Sequence, residues 1–194
     1  MDPITLKISF FAIVIGTGII RYPHEKRNRQ NNVTTNKKKG LEILLLALVW
    51  VGMMILPLIY VFTSWLSFAD YQLPVFWQIL GILLIIPGLW LFYRSHHDLG
   101  QNWSVSLEIR EGHNIISSGV YELIRHPMYT AIWLLCLAQA LLLNNYVAGL
   151  SGLVFFGLLY FLRVGREEKM MLGQFGQEYQ EYMKKTKRIV PYLF

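Results

Sequence analysis

Residues 127–162 read PMYTAIWLLCLAQALLLNNYVAGLSGLVFFGLLYFL, 36 consecutive positions without a charged side chain. As one helix they would extend about 54 Å, too long for a hydrocarbon core of roughly 30 Å. The break falls at Asn144-Asn145, a turn-favouring pair that leaves two arms of 17 residues each. The pattern predicts a tight helical hairpin. Three more apolar runs precede it: 4–20, whose one charge is Lys7, then 43–69 and 71–93, both uncharged. A helical span takes about 17–25 residues, so the sequence predicts five.

Composition agrees. Of the 194 residues 54% are hydrophobic and 15% charged, where soluble domains average about 45–50% and about 25%. This excludes a soluble globule and, because disorder needs low hydrophobicity, a disordered chain. The lone Cys136 lies in an apolar run, which leaves no disulfide framework and no thiolate cluster. The first run is read as a mature helix rather than a signal peptide. Its early positive charge follows Asp2, and no small-residue cleavage pattern comes after it.

Charge sets the expected orientation. Segments 21–40, 94–126 and 163–194 hold 17 of the 18 Lys and Arg residues, while the turns at Asp70 and Asn144-Asn145 hold none. The positive-inside rule then puts the N-terminus outside and the C-terminus in the cytosol. Attraction to anionic headgroups accounts for the formal charge of +6 without nucleic acid.

Room for chemistry exists only in the two longer cytosolic segments, 94–126 and 163–194. The expected organisation is therefore an all-α integral membrane protein with N-terminal transmembrane helices in 1–93. A catalytic region in 94–194 comprises the hairpin and a cytosolic lobe. In the tail, Met170, Met171, Phe175, Tyr179 and Tyr182 recur every three to four residues, the pattern of an amphipathic helix that lies in the interface or caps the bundle. His96 and His97 are adjacent and point about 100° apart on a helix, so they form no joint ligand face, and no metal is expected. Phosphate-cradling loops and a GxSxG elbow do not occur.

The string from Ser118 to Tyr129, SGVYELIRHPMY, holds more. Gly119 permits a sharp turn, and Pro127 suits the first turn of the following helix, whose N-terminus favours an anionic group. Tyr121, His126 and Tyr129 bring hydrogen-bonding tips to that helix start. They read equally as a ligand site or as interfacial anchors, with Arg125 as a topology charge. Arg163 and Glu167, four apart, share a helix face. They are either a surface ion pair or, because a hairpin brings its ends together, a second wall of the same site.

These blocks carry a resemblance. His113-Asn114-Ile115-Ile116, Ser118-Gly119-Val120-Tyr121, Arg125-His126-Pro127-Met128-Tyr129, Arg163 with Glu167-Glu168, and Phe175-Gly176-Gln177-Glu178-Tyr179 with Tyr182 and Pro191 resemble the isoprenylcysteine carboxyl methyltransferase family, in the form of a prokaryotic member. Phospholipid methyltransferases and membrane sterol reductases look similar at the Arg-His-Pro-x-Tyr string; the combination with the later blocks is more specific. The resemblance implies methyl transfer from S-adenosylmethionine, leaving S-adenosylhomocysteine, to the carboxylate of a prenylated cysteine entering from the bilayer. It implies cofactor contacts at His113, Asn114, Ile115, Ile116, Tyr121, His126, Pro127, Met128, Tyr129 and Glu167, and an Arg163 that faces the substrate carboxylate. Arg163 and Glu167 are thus the expected catalytic pair. The first 93 residues give fewer spans than eukaryotic relatives have, and a prokaryote lacks the usual prenylated proteins, so the reaction is implied more firmly than its natural substrate. The alternatives are a phospholipid amine N-methyltransferase and a small transporter or adaptor. The lack of charges within the runs between 43 and 162 counts against a proton-coupled carrier.

The charge bias makes a direct prediction. A cysteine introduced at 70 should react with an impermeant thiol reagent from outside only; labelling from the cytosol alone would overturn the five-span topology.

Overall fold

The protein is described by a computed structural model covering residues 1–28, 33–36, 40–100, 108–110 and 114–192. Helix α1 runs Pro3–Asn28 and α2 Gly40–Trp50. A π turn, Val51–Ile55, leads α2 into α3, Leu56–Phe62, as one continuous rod. Then come α4, Val75–Leu99, α5, Pro127–Leu143, α6, Tyr146–Phe175, and the short α7, Gln177–Lys185. Among the described residues, four stretches are long and apolar enough to cross a membrane: 3–26, 40–62, 75–99 and 146–175. With 17 residues, α5 sits at the lower limit for a span. One departure from the all-helical expectation is a short antiparallel ladder joining β1, Val33–Asn36, to β2, Glu108–Arg110.

Packing explains why α5 can be so apolar. α5 lies against α1, α4 and α6, and Leu135, Cys136 and Ala138 along it have no exposed surface. Outer helices are the reverse. Ile15 and Ile19 of α1, Trp50 of α2 and Leu83 and Ile86 of α4 all lie exposed, the pattern of faces whose solvent is lipid.

The hairpin forms where the sequence predicts it. Asn144 adopts φ 44°, ψ 36°, a left-handed conformation that asparagine tolerates better than most residues. Asn145 then caps α6, its side-chain oxygen accepting from the N–H groups of Val147 (3.0 Å) and Ala148 (2.9 Å). Its amide nitrogen donates to the Leu66 carbonyl (2.6 Å) and to Asp70 Oδ1 (2.7 Å). One buried side chain thereby fastens three segments at the turn end of the bundle.

The π turn has a comparable tie. Gly52 packs so closely on α6 that a Cβ there would lie 2.7 Å from the Ser151 carbonyl oxygen. Its own carbonyl accepts from Gln139 Nε2 (2.9 Å) and Ser151 Oγ (2.7 Å), so all three helices share one polar junction inside an apolar layer.

Two boundaries differ from the sequence expectation. The tail is not one helix beginning after Leu162, since α6 continues unbroken through Arg163 to Phe175. Its 30 residues make a rod of about 45 Å, so one end projects well past a hydrocarbon core. Gly176, at φ 53°, stops it and turns the chain into α7. Of the two roles open to the amphipathic tail, capping is the one found, with Tyr179 and Tyr182 buried against the bundle.

Asn145→Ala should cost at least about 2 kcal/mol, combining a lost cap with lost buried hydrogen bonds. Asn144→Gly should stay within about 0.5 kcal/mol, because glycine adopts the left-handed conformation freely. Thermal unfolding in detergent would check the contrast; equal effects would show that the cap does not hold the turn.

Candidate active site

The hairpin sets the register of the site. α5 is 17 residues long, so the residues just before it meet those 17 or more positions into the longer α6. Tyr129 donates its hydroxyl to Glu167 Oε2 at 2.5 Å. Arg163 Nε lies 3.7 Å from the same oxygen, and His126 Nδ1 lies 4.0 Å from Oε1. The His126 ring stacks on Tyr129, centroids 5.3 Å apart and 18° from parallel, and Tyr160 meets Tyr129 edge-on. Four side chains named from sequence thus form one contiguous cluster. Both tyrosines proposed as possible interfacial anchors, Tyr121 and Tyr129, are buried instead.

Next to this cluster, Glu168 gathers three partners. Arg125 Nε lies at 3.1 Å, His126 Nε2 at 3.4 Å and Arg188 Nη2 at 2.6 Å. Arg125 is therefore no solvent-facing topology charge. Its side chain is buried, and its Nη1 also donates to the carbonyls of Met183 (3.2 Å) and Thr186. The hydrogen bond to Glu168 holds the Arg188 guanidinium above its usual pKa. Behind them the chain after α7 runs along the start of α5 as a strap. Arg125 N–H donates to the Lys187 carbonyl (2.7 Å), His126 N–H to the Arg188 carbonyl (2.9 Å), and Thr130 Oγ1 to the Ile189 carbonyl (2.7 Å).

The other wall begins at Gly119, whose φ of 64° makes the predicted sharp turn. A Cβ there would strike Asp98 Oδ2, which accepts from the Val120 N–H at 3.0 Å. The turn delivers Tyr121 inward, where its hydroxyl donates to the Ser95 carbonyl (3.3 Å) and its own carbonyl accepts from Tyr182 (2.7 Å). Burial, and after it the Glu167 charge, push the Tyr121 phenol well above its usual pKa.

Between these walls lies a cavity of about 480 Å³, within the usual range for small-molecule sites. Asn114, Ile115, Ile116 and Tyr121 line it, as do His126, Met128, Tyr129, Arg163 and Glu167. Pro127 is buried at the first turn of α5 but is not part of the lining. His113 lies outside the described residues. The cavity also runs deeper between the helices, to Ile13, Met53, Leu135 and Phe156. Its walls therefore come from both halves of the chain.

Sequence reasoning missed several participants. Arg21 of α1 and His96 of α4 line the cavity. Glu42, in the first turn of α2, places Oε1 3.5 Å from Arg163 Nη1 with both side chains buried. Its only signal in the sequence was a carboxylate directly ahead of an apolar run.

Comparison with known proteins shows what the chain is similar to. Residues 79–173 match the model of the isoprenylcysteine carboxyl methyltransferase family. The match covers just under half of the chain. The human protein-S-isoprenylcysteine O-methyltransferase is 27% identical over 142 residues, covering 68% of this chain and 49% of the human one. The protein of the same name from Saccharomyces cerevisiae is 32% identical over 121 residues, covering 59% and 49%. The chain thus spans about half the length of the curated relatives it matches. Among solved structures, the eukaryotic intramembrane Ras methyltransferase of this family superposes with a TM-score of 0.53 at 23% identity, over 82% of this chain and 55% of that one. The shared fold is that of an integral membrane protein. The family region includes the hairpin and the site through Glu168, whereas Glu42, α7 and the strap fall outside it.

Glu168→Ala would leave Arg125 buried without its carboxylate and should cost about 3–5 kcal/mol. Arg188→Ala removes a partner whose side chain is 44% exposed, and should cost at most about 1 kcal/mol. Chemical denaturation of the two variants would test this order, and a larger loss in Arg188→Ala would move the anchor to the strap.

Proposed function

We propose that the protein is an S-adenosylmethionine-dependent methyltransferase that esterifies the carboxylate of a prenylated cysteine or a similar lipophilic acid. Its polar end would face the cytosol and its N-terminus the outside. The observation that carries this reading is a buried guanidinium and a cavity-lining carboxylate at the mouth of an apolar cavity between membrane helices. The family of residues 79–173 and the names of the relatives support the reaction type.

Donor sets fit the cofactor. Of the three carboxylates near the site, Glu42 and Glu168 are buried, whereas the Glu167 side chain is 29% exposed and lines the cavity. Glu167, with His126, Tyr129 and Asn114, would hold a ligand rich in ammonium and hydroxyl donors; Tyr121, Ile115, Ile116 and Met128 would pack on it. S-adenosylmethionine supplies the methyl group on a sulfonium. The acceptor carboxylate is already ionised at neutral pH, so the chain's task is positioning rather than proton removal. Arg163 offers a planar fork of donors to that carboxylate. The apolar walls at Met53, Leu135 and Phe156 would take the prenyl chain and keep water from the reacting atoms. An amine acceptor in its ammonium form would instead meet Arg163 as a like charge, which disfavours the phospholipid alternative.

The division between Arg163 and Glu167 is testable. Arg163→Lys keeps the charge but loses the fork, so turnover should fall at least about tenfold with affinity for S-adenosylhomocysteine nearly unchanged. Glu167→Gln should lower that affinity directly, since an ionised acceptor hydrogen-bonds more strongly than an amide. Calorimetry and a prenylcysteine methylation assay would separate the two. Equal loss of cofactor binding would contradict the assignment, and full activity in both would leave only an ion pair.

A further inference from the structure

Arg163 faces two carboxylates that differ in how they are held. Glu167 shares its helix, four residues on, and accepts the Tyr129 hydroxyl at 2.5 Å. Glu42 arrives from α2, across a helix interface, and approaches Nη1 through one oxygen at 3.5 Å. That spacing is well beyond the roughly 2.7–2.9 Å of a closed charge-assisted hydrogen bond.

We propose that Glu42 is the resident counter-ion of Arg163: it balances the buried guanidinium when no acceptor is bound and yields to the acceptor's carboxylate, thereby setting the affinity for anionic acceptors. The proposal rests on the reading of Arg163 as the carboxylate-binding group. Two features support it. First, a guanidinium as buried as Arg163 is costly without a carboxylate close by, so an acceptor-free site needs one. Second, Glu42 sits in the first turn of α2, where the helix dipole favours a carboxylate whether or not Arg163 is engaged. Parting from Arg163 therefore costs Glu42 less than it would cost a carboxylate in mid-helix. An incoming acid competes with Glu42; a neutral molecule of the same shape does not.

The test compares binding of N-acetyl-S-farnesylcysteine and of its uncharged methyl ester to the full chain loaded with S-adenosylhomocysteine. In Glu42→Gln the acid should bind at least about threefold more tightly than to wild type, and the ester within about twofold of it, the size expected for a weak ion pair. A purely structural Glu42 predicts the opposite sign, with both ligands weakened. Weaker or unchanged acid binding, or equal tightening of acid and ester, overturns the proposal. Glu42→Asp keeps the charge at the helix start but shortens its reach; it should tighten acid binding in the same direction by a smaller factor, and decides the question if the Gln variant does not fold. Wild type that binds and methylates the acid while neither variant binds it more tightly overturns the Glu42 assignment alone. Wild type that neither binds nor methylates the acid overturns the functional reading and the assignment with it.

Discussion

The two-asparagine turn between α5 and α6 is the constraint on which the site depends. Because α5 and α6 run antiparallel from a two-residue turn, the chain just before Pro127 and the chain just after Leu162 must meet at one level. His126 and Tyr129 on one arm and Arg163, Glu167 and Glu168 on the other are then neighbours by geometry, before any of their own attractions act. A residue inserted into one arm would rotate its partners by about 100° and part them by about 1.5 Å. The ties of Asn145 to Leu66 and Asp70 extend that register to the preceding loop, so the distant turn fixes how the two walls face each other.

At the opposite end, charge takes over from register. Glu168 is the only one of the site's three carboxylates held by two arginines and a histidine at once, and its partners come from the start of α5 and from the strap. Removing such a group exposes others to an uncompensated environment, which is why Arg125 is anchored twice more on backbone carbonyls. Arg163 is treated differently. Its two carboxylates stand at 3.5 and 3.7 Å. The Glu168 cluster thus backs a second one, of which Arg163, Glu167 and Tyr129 line the cavity.

What the sequence made legible follows from range. The Asn144-Asn145 turn, the Gly119 turn and Pro127 at a helix start are local signals, and each falls where the residue types require. The meeting of Arg163 and Glu167 with His126 and Tyr129 was also readable, because a hairpin converts sequence distance into spatial proximity by counting. Glu42 was not readable. It reaches Arg163 across 121 positions, and a carboxylate ahead of an apolar run looks like any polar residue at a membrane boundary. Arg125 was left open for a related reason: a basic residue between two spans satisfies the topology rule whether it faces water or a buried glutamate. The length of α6 escaped because charged residues from Arg163 onward mimic the end of a span, although helix propensity carries the rod on to Gly176.

The strap has a consequence for how the molecule comes to exist. Residues 186–189 are synthesised after α1 to α7, yet they supply backbone carbonyls to Arg125, His126 and Thr130 and a guanidinium to Glu168. While the spans enter the bilayer, the start of α5 has none of these acceptors and Glu168 has one fewer arginine. Membrane insertion and completion of the site are therefore separate events in the life of the chain. The strap can close on the start of α5 only after α5 and α6 have been made.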